Sequence, residues 1–561
     1  MKNHTRLRYS ITLATLAFVA FLYIANYAAA QSLVRRAAFV PQPQGEAEVS
    51  LPKKSDTSPR LDKMRPPSAP ISLGPPQEKP IRLNPNAGAV HLGLGVDGAL
   101  QSSPGPAHTT ELGPNFPGLG SDFSGPQGPF QIPSAPPDTT GAVGRTQFVQ
   151  WVNTSFAVFD KTTGRPLVGP VEGKVLWRGL GGTTPVPCEV NNDGDPIVSY
   201  DKKANRWVLS QFSVSGGTFA QCIAVSETSD ALGRYFRYEY ELPAFNDYPK
   251  MGVWRDGYYI SYNMFDAISG ARACAYDRQK MLVGNPTAVQ QCFQLSSSFF
   301  GLLPSDLDGK RLPPVGSPNY FLGIGLAPGT LALWRFHADF ATPANSTFGV
   351  GPTHQPNAVI PVARFNLACS GTGATCIPQP ATSRALDSLG ERLMFRLAYR
   401  NLGDHEALLV NHSVDIGPPT NKTAVRWYEL RDPNAALPTV FQQGSLAPDA
   451  NHRWMGSIAM DKQGNIALGF NVSGKVRPGL RFAIRSPSDP VGIMGDEGVL
   501  QNGNGSQDTS SRHLSRWGDY SGLTVDPVSD CTFWYTGEYL RQSGVFNWST
   551  RIAAFKMKGC K

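Results

Sequence analysis

The chain has 561 residues, 41% of them hydrophobic and 17% charged, with a formal net charge of +8. Residues 1–30 hold three basic and no acidic side chains and residues 31–90 hold nine Lys/Arg against five Asp/Glu, which leaves about +1 for residues 91–561. A body so close to neutral excludes a nucleic-acid surface, which needs clustered cations to neutralise phosphates.

Lys2, Arg6 and Arg8 precede an apolar run from Ile11 to Tyr27 that closes on Ala28-Ala29-Ala30. A charged start, an apolar middle and a small-residue end predict an export signal, residues 1–30, cleaved after Ala30. The run also nears the shortest length that spans a bilayer, so an uncleaved anchor is the alternative. Either reading places the body beyond the membrane: secreted, periplasmic or at the cell surface. Residues 31–125 carry Pro, Ser, Gly and charge with little hydrophobic periodicity, as in PKKSDTSPRLDKMRPPSAP, and read as a disordered spacer.

Residues 126–561 change to short β-rich runs separated by Gly, Pro, Asn and Asp, so the fold class is all-β. One pattern recurs: a strand, an Asp- or Gly-containing turn, and a second strand rich in aromatic and β-branched residues. It is plain in IVSYDKKANRWVLSQF from Ile197, MGVWRDGYYISYNMF from Met251, SIAMDKQGNIALGFNV from Ser457 and GLTVDPVSDCTFWYTGEY from Gly522. Weaker copies start at Gly141, Asn319 and Phe395, and third strands follow in most units, as in ARACAYDRQK from Ala271 and AVRWYELRD from Ala424. Seven such units of four antiparallel strands predict a seven-bladed β-propeller. Two β-sandwich domains are the alternative. The last unit runs out of chain after its third strand, so a segment near Leu112 to Phe123 is expected to supply the missing edge strand from the N-terminal side.

The eight cysteines suggest local pairs: Cys188 with Cys222, Cys274 with Cys292, Cys369 with Cys376, and Cys531 with Cys560. An exported chain meets conditions in which such bonds persist. Zinc is disfavoured, since no C-x-x-C occurs and no pair sits beside His at ligand spacing.

In a propeller the loops leading into the first strands ring one mouth of a central channel, and loops on a rigid scaffold carry binding groups. Those loops hold Asp138, Asp195, Asp247, Asp387 and Asp519, the candidate catalytic carboxylates. They also hold Lys250, Arg384, Arg453, Trp454, Arg516, Trp517 and Tyr520, the candidate ligand contacts. Paired carboxylates can divide acid and base roles, and arginine can hold an anionic or polyhydroxyl ligand. The alternative is that each Asp caps a turn and each Trp packs between blades. Asn191-Asn192-Asp193-Gly194-Asp195 has the oxygen density of a calcium loop, with Asp193 and Asp195 as ligands of a possible Ca2+, but lacks the later Glu of the twelve-residue calcium loop. His405, between Asp404 and Glu406, falls in a turn away from the mouth. Neither a nucleophile elbow, nor a phosphate loop, nor an H-E-x-x-H pattern occurs.

With GDPIVSYDKKANRWVLSQF, FNDYPKMGVWRDGYYISYN, LDSLGERLMFRLAYRNLGDHE and RWGDYSGLTVDPVSDCTFWYTGEY in view, residues 130–561 resemble secreted bacterial β-propeller proteins of unassigned function, loosely sialidase-like. The resemblance implies the architecture and use of the central mouth. It does not imply sialidase activity, because the chain has no intact S-x-D-x-G-x-T-W box, and Arg384, Arg453 and Arg516 do not map onto the arginine triad of that superfamily. The functional expectation is a glycan or other polar polymer bound at the mouth, with glycoside hydrolase or lyase chemistry as its extension. The alternative is a non-catalytic scaffold for an extracellular protein partner.

Overall fold

The computed structural model describes residues 45–64, 76–82, 95–371, 375–417, 422–507 and 515–561. The export signal and the alternative anchor lie outside the described residues. Among those described, the chain is all-β, built of antiparallel sheets with short helical turns, and no helix is long and apolar enough to cross a membrane.

The strands are unusually apolar because both faces of most sheets are covered. In Gln147–Val152 all six residues are buried, and alternate side chains enter different cores. Phe148 and Val152 join one cluster while Val149 and Trp151 join another. Gln150 lies on the face of Phe148 and reaches the last sheet, where its Nε2 donates to Thr536 Oγ1 at 2.8 Å and Thr550 Oγ1 at 2.9 Å. A period of two buried on both sides is what strands packed face to face require.

Seven first strands follow one another: Thr139–Val143, Gly194–Asp201, Phe245–Val253, Leu303–Asp308, Met394–Asn401, His452–Met460 and Gly522–Val525. Each packs beside the next, and the last packs beside Thr139–Val143. The weak unit near Asn319 therefore begins earlier than its sequence suggests, with Leu303–Asp308 ahead of Asn319–Ile324. Ser305–Asp308 pairs in parallel with Leu397–Arg400 and joins two groups of strands into one sheet.

The recurring Asp earns its place in the turn that follows the first strand. Asp201 Oδ1 accepts the Lys203 and Ala204 amides, Asp461 Oδ1 those of Gln463 and Asn465, and Asp526 Oδ1 those of Val528 and Ser529. A short acceptor that satisfies two turn amides fixes the turn without neighbours.

Parts of the segment read as a disordered spacer pair with sheet edges instead. Glu48–Ser50 pairs with the strand Gln290–Gln294, Lys54–Thr57 with Tyr235–Leu242, and Leu100–Gln101 with Thr439–Leu446. Thr110–Pro117 pairs antiparallel with Trp548–Met557 and overlaps the segment expected to supply an edge strand. Backbone pairing needs no apolar pattern, which is why composition conceals it. Side chains anchor the same ribbon: three buried arginines of the sheets each receive a carboxylate from it. Arg237 Nε donates to Asp56 at 2.7 Å, Arg272 Nη2 to Glu48 at 2.6 Å and Arg426 Nη2 to Asp97 at 2.6 Å.

All four expected disulfides are present: Cys188–Cys222, Cys274–Cys292, Cys369–Cys376 and Cys531–Cys560. They point to an oxidising environment.

Candidate functional site

The ends at which the first strands begin share a backbone device. Asp138 (φ 44°), Asp195 (46°), Tyr248 (53°), Leu389 (45°) and Met455 (54°) hold left-handed conformations at or just before these strands. Register shifts fall at Gly194/Ile197, Asp247/Lys250 and Trp454/Ser457. Left-handed backbone is costly for such residues and re-aims side chains away from the regular pleat.

Three of the five predicted carboxylates, Asp138, Asp195 and Asp387, accept hydrogen bonds that tie separate loops together. Asp138 Oδ1 accepts the Asp519 amide and its Oδ2 accepts Asn153 Nδ2, both at 2.8 Å. Gly194, at φ +108°, leaves Asn153 its place, since a Cβ there would stand 1.9 Å from Asn153 Oδ1. Asp195 accepts the Tyr248 amide at 3.2 Å. Asp387 accepts Arg516 Nη1 at 2.7 Å and the Trp517 amide at 3.0 Å, and Arg516 Nη2 lies 2.8 Å from Asp519. Lys250 Nζ sits 3.4 Å from the centre of the Tyr248 ring and 4.1 Å from that of Tyr520, sandwiched by cation–π contacts. The Tyr520 hydroxyl donates to the Pro196 carbonyl at 3.0 Å.

Removal from water dominates the electrostatics. Burial pushes Asp247 up to about 7, reinforced by Asp195 and opposed by Arg392. Burial pushes Asp387 up to about 7 as well, against the pull of Arg516. It also raises Asp195, and it raises Asp138 well above the usual carboxylate range with help from Asp519. Lys250 is lowered to about 8 by burial, although Asp195 and Asp519 favour its charge. Carboxyls near 7 beside a cation near 8 can hold and exchange protons at neutral pH.

A short stretch of the N-terminal segment, residues 76–82, lies against these groups. Gln77–Glu78 pairs in parallel with Ser134–Ala135, and Arg82 stacks 4.0 Å from the Phe245 ring centre. Arg516 Nε donates to the Lys79 carbonyl and Arg392 Nη2 to the Arg82 carbonyl, both at 3.1 Å, while Lys79 Nζ donates to the Asp193 carbonyl at 3.1 Å. Two of the cations nearest the carboxylates thus each spend a donor on this strap.

Other sequence candidates fall elsewhere. Trp454 and Trp517 are fully buried with ring centres 5.6 Å apart, so they are packing residues with no face left for a ligand. Arg453 is held by Glu497 and by Asp449 at 2.8 Å, and it belongs to that local ion network. Arg384 is half-buried, just before the strand Leu386–Asp387, and its carbonyl accepts Gln379 Nε2 at 3.1 Å; it is not among the cations that govern Asp387. Asp193 is a turn cap: its Oδ2 accepts the Val214 and Ser215 amides and its Oδ1 the Ser215 hydroxyl. Asp195 faces Tyr248 instead, so the two carboxylates proposed for a calcium ion have different partners. Among the described residues, the one group of three His, Cys, Asp or Glu donors within mutual ligand reach is Asp461, Cys531 and Cys560, and its two cysteines form a disulfide.

Sequence reasoning missed Arg392, Glu391 and Glu538. Arg392 lies 4.4 Å from the Tyr248 ring centre and donates to Glu391 at 2.9 Å. Glu538 Oε2 accepts the Gly518 amide at 2.8 Å, and burial raises it well above the usual range. Glu391 and Arg392 stand just ahead of the strand Met394–Asn401, separated from it by Leu393, a signal that assigning this loop to Arg384 and Asp387 passed over.

No protein-family model and no curated protein matches the chain. Among solved structures, the N-terminal domain of Nup159 is similar at 8% identity and a TM-score of 0.32, over 82% of this chain and 99% of that one. The WD40 domain of SCAP from fission yeast is similar at 9% identity and a TM-score of 0.30, over 74% and 82% of the two chains. An endo-arabinase from Bacteroides thetaiotaomicron is similar at 12% identity and a TM-score of 0.24, over 52% and 93%. Scores of this size carry no argument about this chain's activity.

Proposed function

We propose that the chain is an exported seven-bladed β-propeller, its last blade completed by Thr110–Pro117, that binds a glycan or similar polar polymer where its first strands begin. In this reading residues 1–30 are the export signal and residues 126–561 the propeller body. Asp247 and Asp387 act on the bound polymer as the proton-holding carboxyl and its ionised counterpart. Lys250, Arg392 and Arg516 fix the charge around them, and Asp138, Asp195 and Asp519 supply further acceptors.

One observation carries the proposal: carboxylates from separate loops share a buried setting with too few cations, which holds Asp247 and Asp387 at about 7. A poised carboxyl contributes roughly 10²–10⁴-fold to a proton-transfer step. A polysaccharide panel tests it, with Asp247→Asn and Asp387→Asn alongside the natural chain. The expected result is turnover of one polymer class that falls at least 100-fold in either variant while melting temperature does not fall. Turnover or binding unchanged in both variants would refute the reading.

The strap at residues 76–82 favours a second reading, a non-catalytic scaffold whose mouth is structurally filled. Replacing residues 77–81 with a Gly-Ser sequence separates the two. Glycan binding that appears or strengthens supports the first reading; binding absent with and without the strap supports the second.

A further inference from the structure

Where the first strands end, the opposite set of loops encloses a cavity of about 230 Å³. It lies between the turns that follow Thr139–Val143, Gly194–Asp201, Leu303–Asp308 and Gly522–Val525. Two carboxylates line it, Asp201 and Asp530, and both are already neutralised from within the fold. Arg278 grips Asp201 with Nε at 2.6 Å and Nη2 at 3.1 Å, and the Tyr258 hydroxyl donates to it at 3.1 Å. Arg400 Nη1 lies 2.7 Å from Asp530. Behind the cavity Asp308 is held by Lys202 and by Arg396 Nη2 at 2.8 Å.

The remaining lining cations have no such answer. Arg145, Lys203 and Lys310 are exposed at the cavity, and none has a carboxylate partner among the described residues. Three positive side chains thus surround a concave space whose own acids are spent on arginines behind them. Like charges gathered without counter-charge repel one another, and an anion placed among them relieves that repulsion and gains charge-assisted hydrogen bonds.

We propose that this cavity binds a multiply charged oxyanion, a phosphate or sulfate group. Arg145 supplies a planar fork that can take two oxygens, and Lys203 and Lys310 supply point charges from neighbouring turns. The group is either a free inorganic ion or an ester carried on a sugar. The site is separate from the carboxylates at the other end of the first strands and does not depend on their function.

Calorimetric titration of the full chain with sodium phosphate, sodium sulfate and glucose 6-phosphate tests this, with sodium chloride at matched ionic strength as the reference. The expected result is saturable binding above the chloride reference, weakened at least tenfold in the Arg145→Ala/Lys203→Ala/Lys310→Ala variant. These side chains are exposed, so the variant's melting temperature in chloride stays that of the natural chain. Binding of the inorganic ions assigns a free oxyanion, and binding of glucose 6-phosphate alone assigns an ester. Absence of saturable binding by all three, or equal affinity in the triple variant, overturns the proposal.

Discussion

Carboxylates are buried or half-buried at both ends of the first strands, and Asp308 at one end is kept in the opposite state from Asp138, Asp195, Asp247 and Asp387 at the other. Where the strands end, burial alone would raise Asp308, yet Arg396, Lys202 and Arg400 outweigh it and hold the group below the usual carboxylate range. Where the strands begin, burial wins, and Asp138, Asp195, Asp247 and Asp387 are all raised. The difference lies in the supply of cations. Arg396 serves Asp306 and Asp308 directly, with Nε 2.7 Å and Nη2 2.8 Å from them. Arg392, by contrast, is shared with Glu391 and a strap carbonyl, and Lys250 gives a hydrogen bond to the Pro249 carbonyl at 2.9 Å. Depth of burial does not decide whether a carboxyl keeps its proton; the number of uncommitted cations does.

Breaking the well-paired end is expected to have the largest effect. Arg396→Met leaves Asp306 and Asp308 without their shared cation, and unfolding in denaturant should show a loss of about 3–5 kcal/mol, as for other buried pairs deprived of one partner.

The acid-rich end sharpens the comparison through pH. The folded-state pKa of Asp247 and Asp387 is raised, so the stability that they contribute is present below about pH 4 and lost as pH rises through about 7. Lys250 is depressed to about 8, so its contribution is present above its unfolded value and lost as pH falls through about 8. The melting temperature should therefore decline from pH 5 to pH 7. Asp247→Asn should be neutral below about pH 4 and increasingly stabilising as pH rises, by about 1 kcal/mol at pH 8, since the amide cannot ionise and Asp247 is only partly buried. A flat profile that the substitution leaves unchanged would mean that Asp247 ionises freely.

The smallest effect is expected at the exposed rim of the cavity. Lys203→Ala removes a cation with no partner and should alter stability by less than about 0.5 kcal/mol in chloride.

Much of the fold is legible in the sequence because its signals are local. The turn after three of the first strands announces itself through an Asp that caps its own amides: Asp201, Asp461 and Asp526. The cysteine pairs are close in sequence and close in space. The ribbon Glu48–Ser50 and Lys54–Thr57 is illegible for a physical reason: edge pairing uses main-chain donors that every residue has, and its specific contacts are made with Arg237 and Arg272 about 180 and 220 residues away. The candidate site was half legible. Asp138, Asp195, Asp387 and Arg516 follow from their place before the first strands, whereas the strap at Lys79 and Arg82 has no sequence signal at all. Arg-Trp at 453–454 and at 516–517 looks alike in sequence, yet Arg516 bonds Asp387 at 2.7 Å while Arg453 is occupied by Asp449 at 2.8 Å. What separates them is which acid reaches each guanidinium: Asp449 comes from four residues back in the same loop, whereas Asp387 is brought to Arg516 only by the assembled fold.

Carbon-13 NMR titration of aspartate carboxyls in the full chain, with Asp247→Asn, Asp387→Asn and Asp308→Asn for assignment, is the most direct measurement. Asp247 and Asp387 should titrate near pH 7 while Asp308 stays ionised below pH 4. Titration of Asp247 and Asp387 below pH 5 would contradict the account, since neither would then hold a proton at neutral pH.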